Sequence, residues 1–351
     1  GPGAVNASGH AMRACASIPA AALMLAACSS GSVFLAPDPS PQSVYGSFLA
    51  ARYAGTTRDV DQSARLYADA LAFEPESGFI SERAFLAALL AGDFDRADAA
   101  AVAAADDPDS PRLVHLYIQA AELAGARLDA PPPPASGSDA FSELIASVLD
   151  QWALVAQRRT GQALEAAEDI SSPFAAAGQL LVHRALLLER AGAHDRAEDA
   201  YQAAHASLDM PDYTAVLLGA YLERRGRTDA AAALYRVRLE GDRSQGDPQV
   251  RAALARVEAG RRAPRFPRPD EAAAQALFAP AALLTNQAPV DYSALFLRMI
   301  ERLDPDFQRN TFALADMLDE LDLDEAALAA YQSMDEGAFA ARAGVQAAWL
   351  T

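Results

Sequence analysis

The stretch LERAGAHDRAEDAYQAA at residues 188–204 recurs in altered form as LERRGRTDAAAALY at residues 222–235. Aligning the two superimposes three pairs of identical residues at one common offset: Gly192 with Gly226, Ala197 with Ala231 and Tyr201 with Tyr235. An internal period of about 34 residues indicates small units that stack on one another. Within each unit, Gly permits a tight turn, Ala lets two helices approach closely, and Tyr fills the gap to the next unit. The pattern therefore predicts an array of helical pairs.

The composition also favours helices. The chain has 351 residues, enough for a large core, and 52% of them are hydrophobic while only 7% are aromatic. Ala, the best helix former, is the commonest residue, and β-branched residues are scarce. These features argue against an all-β fold and against a doubly wound α/β fold.

At the repeated positions the chain resembles the tetratricopeptide repeat (TPR) family, whose units are helical hairpins. The same frame fits, with variations, at residues 64–75, 92–97, 161–170 and 322–331, and Asp322 stands where Gly is usual. The resemblance implies an all-α fold, a TPR-like superhelical solenoid of antiparallel helix pairs. It covers nearly all of the chain after residue 41.

Two Pro-rich stretches interrupt the predicted array. APPPPASGS at residues 130–138 and APRFPRP at residues 263–269 each follow a predicted lone helix and indicate extended joints. We therefore expect a first array over residues 42–262, a linker over residues 263–269 and a second array over residues 270–351.

The beginning of the chain predicts a secretion signal. One Arg, a short apolar run and small residues are typical of a signal peptide, so we assign residues 1–27 to a leader. LAAC at residues 25–28 resembles the lipobox of bacterial lipoproteins, in which the signal is cut before the Cys and the Cys is acylated. The resemblance implies lipidation at Cys28, followed by a flexible tether that completes residues 28–41. Ser29 replaces the Asp that often retains such proteins in the inner membrane, which implies the periplasmic face of the outer membrane in a Gram-negative bacterium.

Two questions about the ends of the chain stay open at this point. Gly1–Ala11 is either a cloning scar or part of an over-extended start. Residues 337–350 resemble a first helix without its second helix, so this segment either caps the array or precedes further repeats beyond Thr351.

The sequence holds few of the residues on which enzyme chemistry depends. All 29 basic residues are Arg, which excludes a Schiff-base Lys, a Lys general base and the Lys of a phosphate-binding loop. The five His show no metal-binding spacing, and the acidic turn Asp93–Asp95 lacks the Gly and Glu of a calcium loop. We expect no catalytic residue, no metal and no cofactor, and hence a protein that is not an enzyme.

The distribution of charge bears on possible partners. The formal net charge of −18 argues against nucleic acid as a partner. Residues 223–268 carry twelve Arg against six acidic residues, whereas residues 301–336 carry eleven acidic residues against two Arg. Both runs are either ordinary solvated helix faces or, for the basic run, a surface that meets anionic lipid, cell-wall polymer or an acidic partner.

The resemblance further implies a binding surface, since the first helix of each TPR unit lines a concave groove. The residues that match the groove positions are Phe79, Glu82, Gln179, Val182, Glu189, Arg190, Tyr213, Val216, Glu223 and Arg224. Aromatic side chains among apolar and charged neighbours suit a groove that holds a peptide. We expect a scaffold that binds a protein partner, as an adaptor for an envelope enzyme such as a protease or cell-wall hydrolase. The alternative is an assembly factor in envelope biogenesis or exopolysaccharide export.

Overall fold

A computed structural model describes residues 43–130, 139–168, 178–240, 246–284 and 290–351. The predicted leader, the predicted lipidation site Cys28 and the tether lie outside these residues, as does most of the first Pro-rich stretch. Within the described ranges the chain forms seventeen α-helices and no strand. The predicted all-α fold is therefore confirmed.

Twelve of these helices precede residue 259. They are α1 (Val44–Thr56), α2 (Val60–Phe73), α3 (Gly78–Ala91), α4 (Phe94–Ala105), α5 (Arg112–Leu123), α6 (Ala140–Ala156), α7 (Thr160–Glu168), α8 (Leu181–Arg190), α9 (His194–Ser207), α10 (Pro211–Arg224), α11 (Thr228–Glu240) and α12 (Pro248–Glu258). Five antiparallel pairs form where a short turn joins two helices, namely α1–α2, α3–α4, α6–α7, α8–α9 and α10–α11. Helices α5 and α12 begin units in which the described residues hold no second helix. We call the surface formed by the first helices α1, α3, α5, α6, α8, α10 and α12 the A-helix face.

Each of these units turns at a residue in the left-handed backbone conformation. These residues recur every 33 or 34 positions: Arg58, Gly92, Gly125, Arg158, Gly192, Gly226 and Gly260. Gly adopts a positive φ without steric cost, whereas Arg58 and Arg158 do so at φ of 68° and 64°. The repeat seen twice in the sequence thus extends over seven units, and the fold is a TPR-like solenoid.

Two of the second helices begin with a capping Asp directly after the turn residue. The Asp59 carboxylate accepts a hydrogen bond from the backbone N–H of Gln62 at 2.9 Å, and Asp93 accepts one from that of Arg96 at 3.1 Å. This acceptor satisfies an N–H group that helix geometry leaves unpaired. A turn residue followed by Asp therefore ends one helix and starts the next.

Five more helices follow residues 261–268, a segment without helix that we call the strap. They are α13 (Pro269–Leu284), α14 (Val290–Leu303), α15 (Gln308–Glu320), α16 (Asp324–Gln332) and α17 (Ala340–Trp349). Helices α15 and α16 pair around Asp322, whose φ of 55° matches the turn residues of the earlier units.

Helices α13 and α14 pack against the A-helix face. Helix α13 contacts α6 and α8, and α14 contacts α3 and α5. The Arg298 side chain donates to the backbone carbonyl of Leu90 at 3.2 Å, and Arg302 forms an ion pair with Asp98 at 3.0 Å. All described residues consequently belong to one compact unit. The first two helices of the segment predicted as a second array pack against the first array.

Small residues make this insertion possible. Four Ala residues of α13 are fully buried, together with Leu277. A helix that presents Ala can approach its neighbours closely. It therefore fits into a narrow space between other helices and still buries apolar surface. The high Ala content serves helix packing here as well as helix propensity.

A close approach between α10 and α11 predicts the effect of one glycine substitution. A Cβ added at Gly219 in α10 would overlap the ring and hydroxyl of Tyr235 in α11. We expect Gly219→Ala to lower the free energy of unfolding by about 1–3 kcal/mol. Gly344→Ala in α17, where the added Cβ meets nothing within 4 Å, should instead raise it by up to about 1 kcal/mol. Urea unfolding followed by circular dichroism measures both, and equal effects would contradict the packing of α10 on α11.

A buried histidine predicts acid sensitivity. Trp152 donates to Nδ1 of His183 at 3.2 Å, the other ring nitrogen lies 2.5 Å from the Gln151 amide oxygen, and burial lowers the pKa of His183 to about 3. Because the unfolded state binds a proton below about pH 6.5 that the folded state does not, this site stabilises the fold above that pH. Its contribution should fall by about 3 kcal/mol on going to about pH 4.

The His183→Gln variant isolates this contribution. The difference in unfolding free energy between wild type and variant should shrink between about pH 6.5 and about pH 4. A difference that stays constant over this range would contradict a neutral, buried His183.

Candidate functional site

A cavity lies on the A-helix face, between α8, α10, α12, the strap and α13. Its volume is about 360 Å³. Apolar side chains from α8 and α10 form one part of its wall, and polar and charged side chains form the rest. The lining residues are Leu186, Tyr201, Val216, Leu217, Ala220, Arg224, Arg256, Pro264, Arg265, Pro267, Glu271, Gln275, Asp304 and Asp306. We call this cavity the strap pocket.

A repeating set of hydrogen bonds builds the wall of the strap pocket. The Glu189 carboxylate accepts from the Tyr201 hydroxyl of its own unit at 2.7 Å and from Nε of Arg224, in the next unit, at 2.6 Å. One unit later, Glu223 accepts from Tyr235 at 2.8 Å and from Arg256 at 2.6 Å. Each glutamate therefore ties its own helical pair to the first helix of the following unit. We call these two sets the glutamate ladder.

The glutamate ladder explains where the structure places several of the predicted groove residues. Glu189, Glu223 and Arg224 are mostly buried ion-pair partners within the array rather than open contact sites. Buried charges require such partners, because an unpaired charge in the interior is strongly unfavourable. The periodic spacing that marks these positions in the sequence arises from contacts between units.

Other predicted groove residues contact the chain's own helices. Val182 is fully buried, and Tyr213 is buried against Phe278 and Phe307 with its hydroxyl donating to the Gln275 carbonyl at 2.5 Å. Helix α13 occupies the surface that Tyr213 was expected to offer to a partner, so that expectation needs correction: in this structure Tyr213 is not accessible.

The remaining predicted residues are divided between two places. Val216 is half-buried and lines the strap pocket, Arg190 is exposed beside the strap, and Gln179 is half-buried just before α8. Phe79 and Glu82 lie on α3, outside the lining of the strap pocket. The structure therefore does not bring the ten predicted residues to one open surface.

The strap lies over the A-helix face much as a bound peptide would. The half-buried Phe266 ring lies near two guanidinium groups, with its centroid 5.8 Å from that of Arg190 and 5.6 Å from that of Arg224. The neighbouring Arg265 donates two hydrogen bonds to Glu271, at 2.5 and 2.6 Å. Cation–π contacts and a bidentate ion pair thus hold an extended, Pro-flanked segment at the edge of the pocket.

Two carboxylates give the strap pocket its unbalanced charge. The Arg residues of the lining are each paired with an acidic residue, whereas no ion pair within 4 Å is found for Asp304 or Asp306 in the described part of the chain. Burial and the negative charge of Glu271 raise the pKa of Asp304 to about 6. The pocket is therefore suited to a ligand that brings a positive charge.

Sequence reasoning missed most of the lining. Arg256, Glu271, Asp304 and Asp306 lie outside the two aligned repeats. Arg256 comes from α12, and the other three reach the pocket through the long-range packing of α13 and α14. The sequence marks the Arg-rich run of residues 223–268 only as a surface feature. In the structure Arg227, Arg236 and Arg238 of this run form ion pairs with Glu198, Glu258 and Asp212.

A metal site and a membrane-spanning helix each require particular residue types in a particular arrangement. No group of three or more His, Cys, Asp or Glu side chains within them is arranged to hold a metal ion. None of the described helices combines the length and the apolar character that crossing a bilayer requires.

Comparisons with known proteins add little to this geometry. No protein-family profile matches the chain, and no curated protein matches it. Among solved structures, the TPR domain of P58(IPK) superimposes with a TM-score of 0.28 at 11% identity over 83% of both chains. The Naa15/Naa10 complex bound to HypK-THB gives a TM-score of 0.32 at 14% identity over 82% of this chain and 57% of that chain. TM-scores this low do not support a fold assignment. The assignment therefore depends on the repeated helix pairs described above.

The charge of Asp304 predicts a pH-dependent change in stability. Because the pKa of Asp304 is raised on folding, the folded state keeps a proton that the unfolded state loses. The protonated carboxyl group therefore contributes to the stability of the folded state, fully below about pH 4 and no longer once the pH has risen through about 6. We expect Asp304→Asn to raise the free energy of unfolding by about 2 kcal/mol at about pH 8 and to have little effect at about pH 4. Glu320→Gln, at an exposed position of α15, serves as the control. An Asp304→Asn effect that does not depend on pH would contradict the site.

The position of Phe266 predicts how tightly the strap is held. Removing its ring abolishes both cation–π contacts, so Phe266→Ala should accelerate tryptic cleavage after Arg262 by about tenfold. The exposed aromatic Phe79 provides the matched control, and Phe79→Ala should leave this cleavage rate unchanged. Equal rates in wild type and Phe266→Ala would show that the strap is not held by its aromatic residue.

Proposed function

We propose that this protein is a lipid-anchored scaffold at the periplasmic face of the outer membrane, which binds a protein partner in the strap pocket as an adaptor for an envelope enzyme. The anchor is Cys28, and the described helices provide the binding surface. The observation that carries the binding site is the strap pocket itself, a cavity of about 360 Å³ with two carboxylates that lack an ion-pair partner among the described residues.

The chemistry of the pocket supports a particular class of partner segment. A volume of about 360 Å³ suits one or two side chains of an extended peptide rather than a folded domain. Asp304 and Asp306 favour a basic side chain, and the apolar wall formed by Leu186 and Val216 favours an aliphatic or aromatic neighbour. The strap has this composition itself, since Arg265 and Phe266 are adjacent.

Site-specific photocrosslinking in the native envelope tests the binding site. A photoreactive residue at Val216, inside the pocket, should capture a partner that the same probe at Val237 does not capture. Val237 is a suitable control because it is exposed and lies on α11, away from the pocket. A soluble enzyme among the captured proteins supports the adaptor role, whereas subunits of an integral export complex would overturn it in favour of an assembly factor.

Charge reversal then tests the chemistry with the purified partner. Asp306→Arg should weaken binding by about tenfold, because it removes one of the two uncompensated carboxylates and adds a repulsive charge. Asp209→Arg makes the same change at an exposed position outside the pocket lining and should have no effect. Equal losses in the two variants would indicate a general effect of net charge and would contradict the pocket.

The lipid anchor is tested separately by mass spectrometry of the protein isolated from membranes. The expected result is a chain that begins at Cys28 and carries acyl groups, and that Cys28→Ser releases from the membrane fraction. A chain without acylation would overturn the anchor and leave the pocket untouched.

A further inference from the structure

Helix α1 exposes an apolar face that no other described helix covers. Tyr45, Leu49 and Tyr53 are 80%, 61% and 70% exposed. They follow one another at intervals of four residues, so they lie along one side of the helix. The opposite side, with Ser47, Ala51 and Ala54, is buried against the array. Large apolar side chains that are exposed in a row, unlike single ones, indicate a contact surface.

Aromatic residues of α3 extend the apolar region beyond α1. The half-buried Phe48 ring packs 5.6 Å from the ring of Phe79, which is itself 57% exposed. Arg83 places its guanidinium 5.4 Å from the Phe79 ring. We call the exposed residues Tyr45, Leu49, Tyr53 and Phe79 the α1 face.

The charges beside the α1 face fit a lipid surface. Helix α1 contains Arg52 and no acidic residue, although the whole chain has a formal net charge of −18. Tyr side chains with an apolar ring and a polar hydroxyl favour the boundary between lipid headgroups and acyl chains, and Arg interacts favourably with lipid phosphates. Water-exposed Tyr and Leu beside Arg are thus the combination that an interfacial helix needs.

The position of α1 in the chain points to the same occupant. Cys28 precedes Val44 by sixteen positions, and a fully extended segment of this length reaches at most about 58 Å. A helix joined so closely to an acylated residue meets the bilayer at high effective concentration, so even a weak affinity for lipid is sufficient to hold it there.

We propose that the α1 face lies on the phospholipid surface and fixes the orientation of the array relative to the membrane. The closeness of α1 to the bilayer rests on the proposed anchor at Cys28, whereas the affinity of the α1 face for lipid depends on neither the anchor nor the strap pocket. The α1 face then acts as a second attachment to the membrane, beside the acyl chains. The lining of the strap pocket contains no residue of α1 or α3, so the two surfaces do not share residues.

The test uses the lipidated protein in vesicles of phosphatidylethanolamine and phosphatidylglycerol. Because the described residues contain no Cys, Leu49→Cys and Val345→Cys each provide one site for an environment-sensitive fluorophore. The two positions are matched, with exposed fractions of 61% and 59%. We expect a quencher attached to the lipid acyl chains to reduce the emission at position 49 at least about threefold more than at position 345. Adding Tyr45→Ser and Tyr53→Ser should abolish this difference.

Three results would overturn the proposal. Equal quenching at both positions would mean that the orientation is not fixed, and no quenching at position 49 would mean that the face lies in water. Protection of position 49 from a water-soluble quencher, without quenching from the lipid, would mean that residues 1–42 or a second copy of the chain cover it. Sedimentation of the protein without vesicles distinguishes these two occupants.

A second measurement separates this proposal from the lipid anchor. Residues 28–351 with Cys28→Ser carry no acyl chain, and the described helices within them form one compact unit. This protein should float weakly with the same vesicles, and Tyr45→Ser with Tyr53→Ser should reduce the bound fraction by about tenfold. Val345→Ser with Trp349→Ser, the matched change on the exposed apolar side of α17, should leave the bound fraction unchanged. If Cys28 proves not to be acylated but this pattern is found, the anchor fails and the α1 face stands; the reverse outcome overturns the face alone.

Discussion

The packing of α13 and α14 against the A-helix face is the constraint on which the rest of the structure depends. The two helices contact α3, α5, α6 and α8, so they fill a surface that would otherwise be open along several units. Their buried Ala residues and the Phe141–Phe296 contact at 5.7 Å bury apolar area. Arg302 forms an ion pair with Asp98 of the first array, whereas Arg298 pairs with Glu301 of its own helix. Apolar burial of this kind supplies most of the free energy that holds helical units together. The accessible part of the A-helix face shrinks in consequence.

The glutamate ladder holds together the helices of the first array that lie nearest the strap. Glu189 and Glu223 each join a Tyr of their own unit to an Arg of the next, which fixes the relative position of α8, α10 and α12. Such ion pairs do more for the geometry than for net stability, because desolvation offsets much of their attraction. Fixed in this way, the three helices and α13 enclose a pocket in which Asp304 and Asp306 have no ion-pair partner among the described residues. The proposed binding site therefore lies where the first array ends and the inserted helices begin.

The sequence allowed the fold to be predicted and left the site largely hidden. The offset of 34 residues between Gly192 and Gly226 correctly indicated helical pairs, because a turn that requires positive φ selects Gly. The same rule failed to locate the turns at Arg58 and Arg158, where packing of the two helices imposes the conformation on a residue that does not favour it. The insertion of α13 could not be read from periodicity, since an Ala-rich helix has no strong apolar side. Without that insertion Tyr213 looks like an open groove residue, and Asp304 has no visible connection with Val216.

The central claim is that α13 and α14 belong to the interior of the array, and amide hydrogen exchange of the full chain tests it most directly. If the claim is correct, the amides of Ala272 to Leu277 exchange as slowly as those of α6, around the buried Trp152, because opening α13 exposes the array that surrounds it. Fast exchange across α13 and α14 while α6 and α8 stay protected would mean that the two helices dock only transiently. The strap pocket would then not exist as a fixed site, and the A-helix face would be the open groove that the sequence alone suggested.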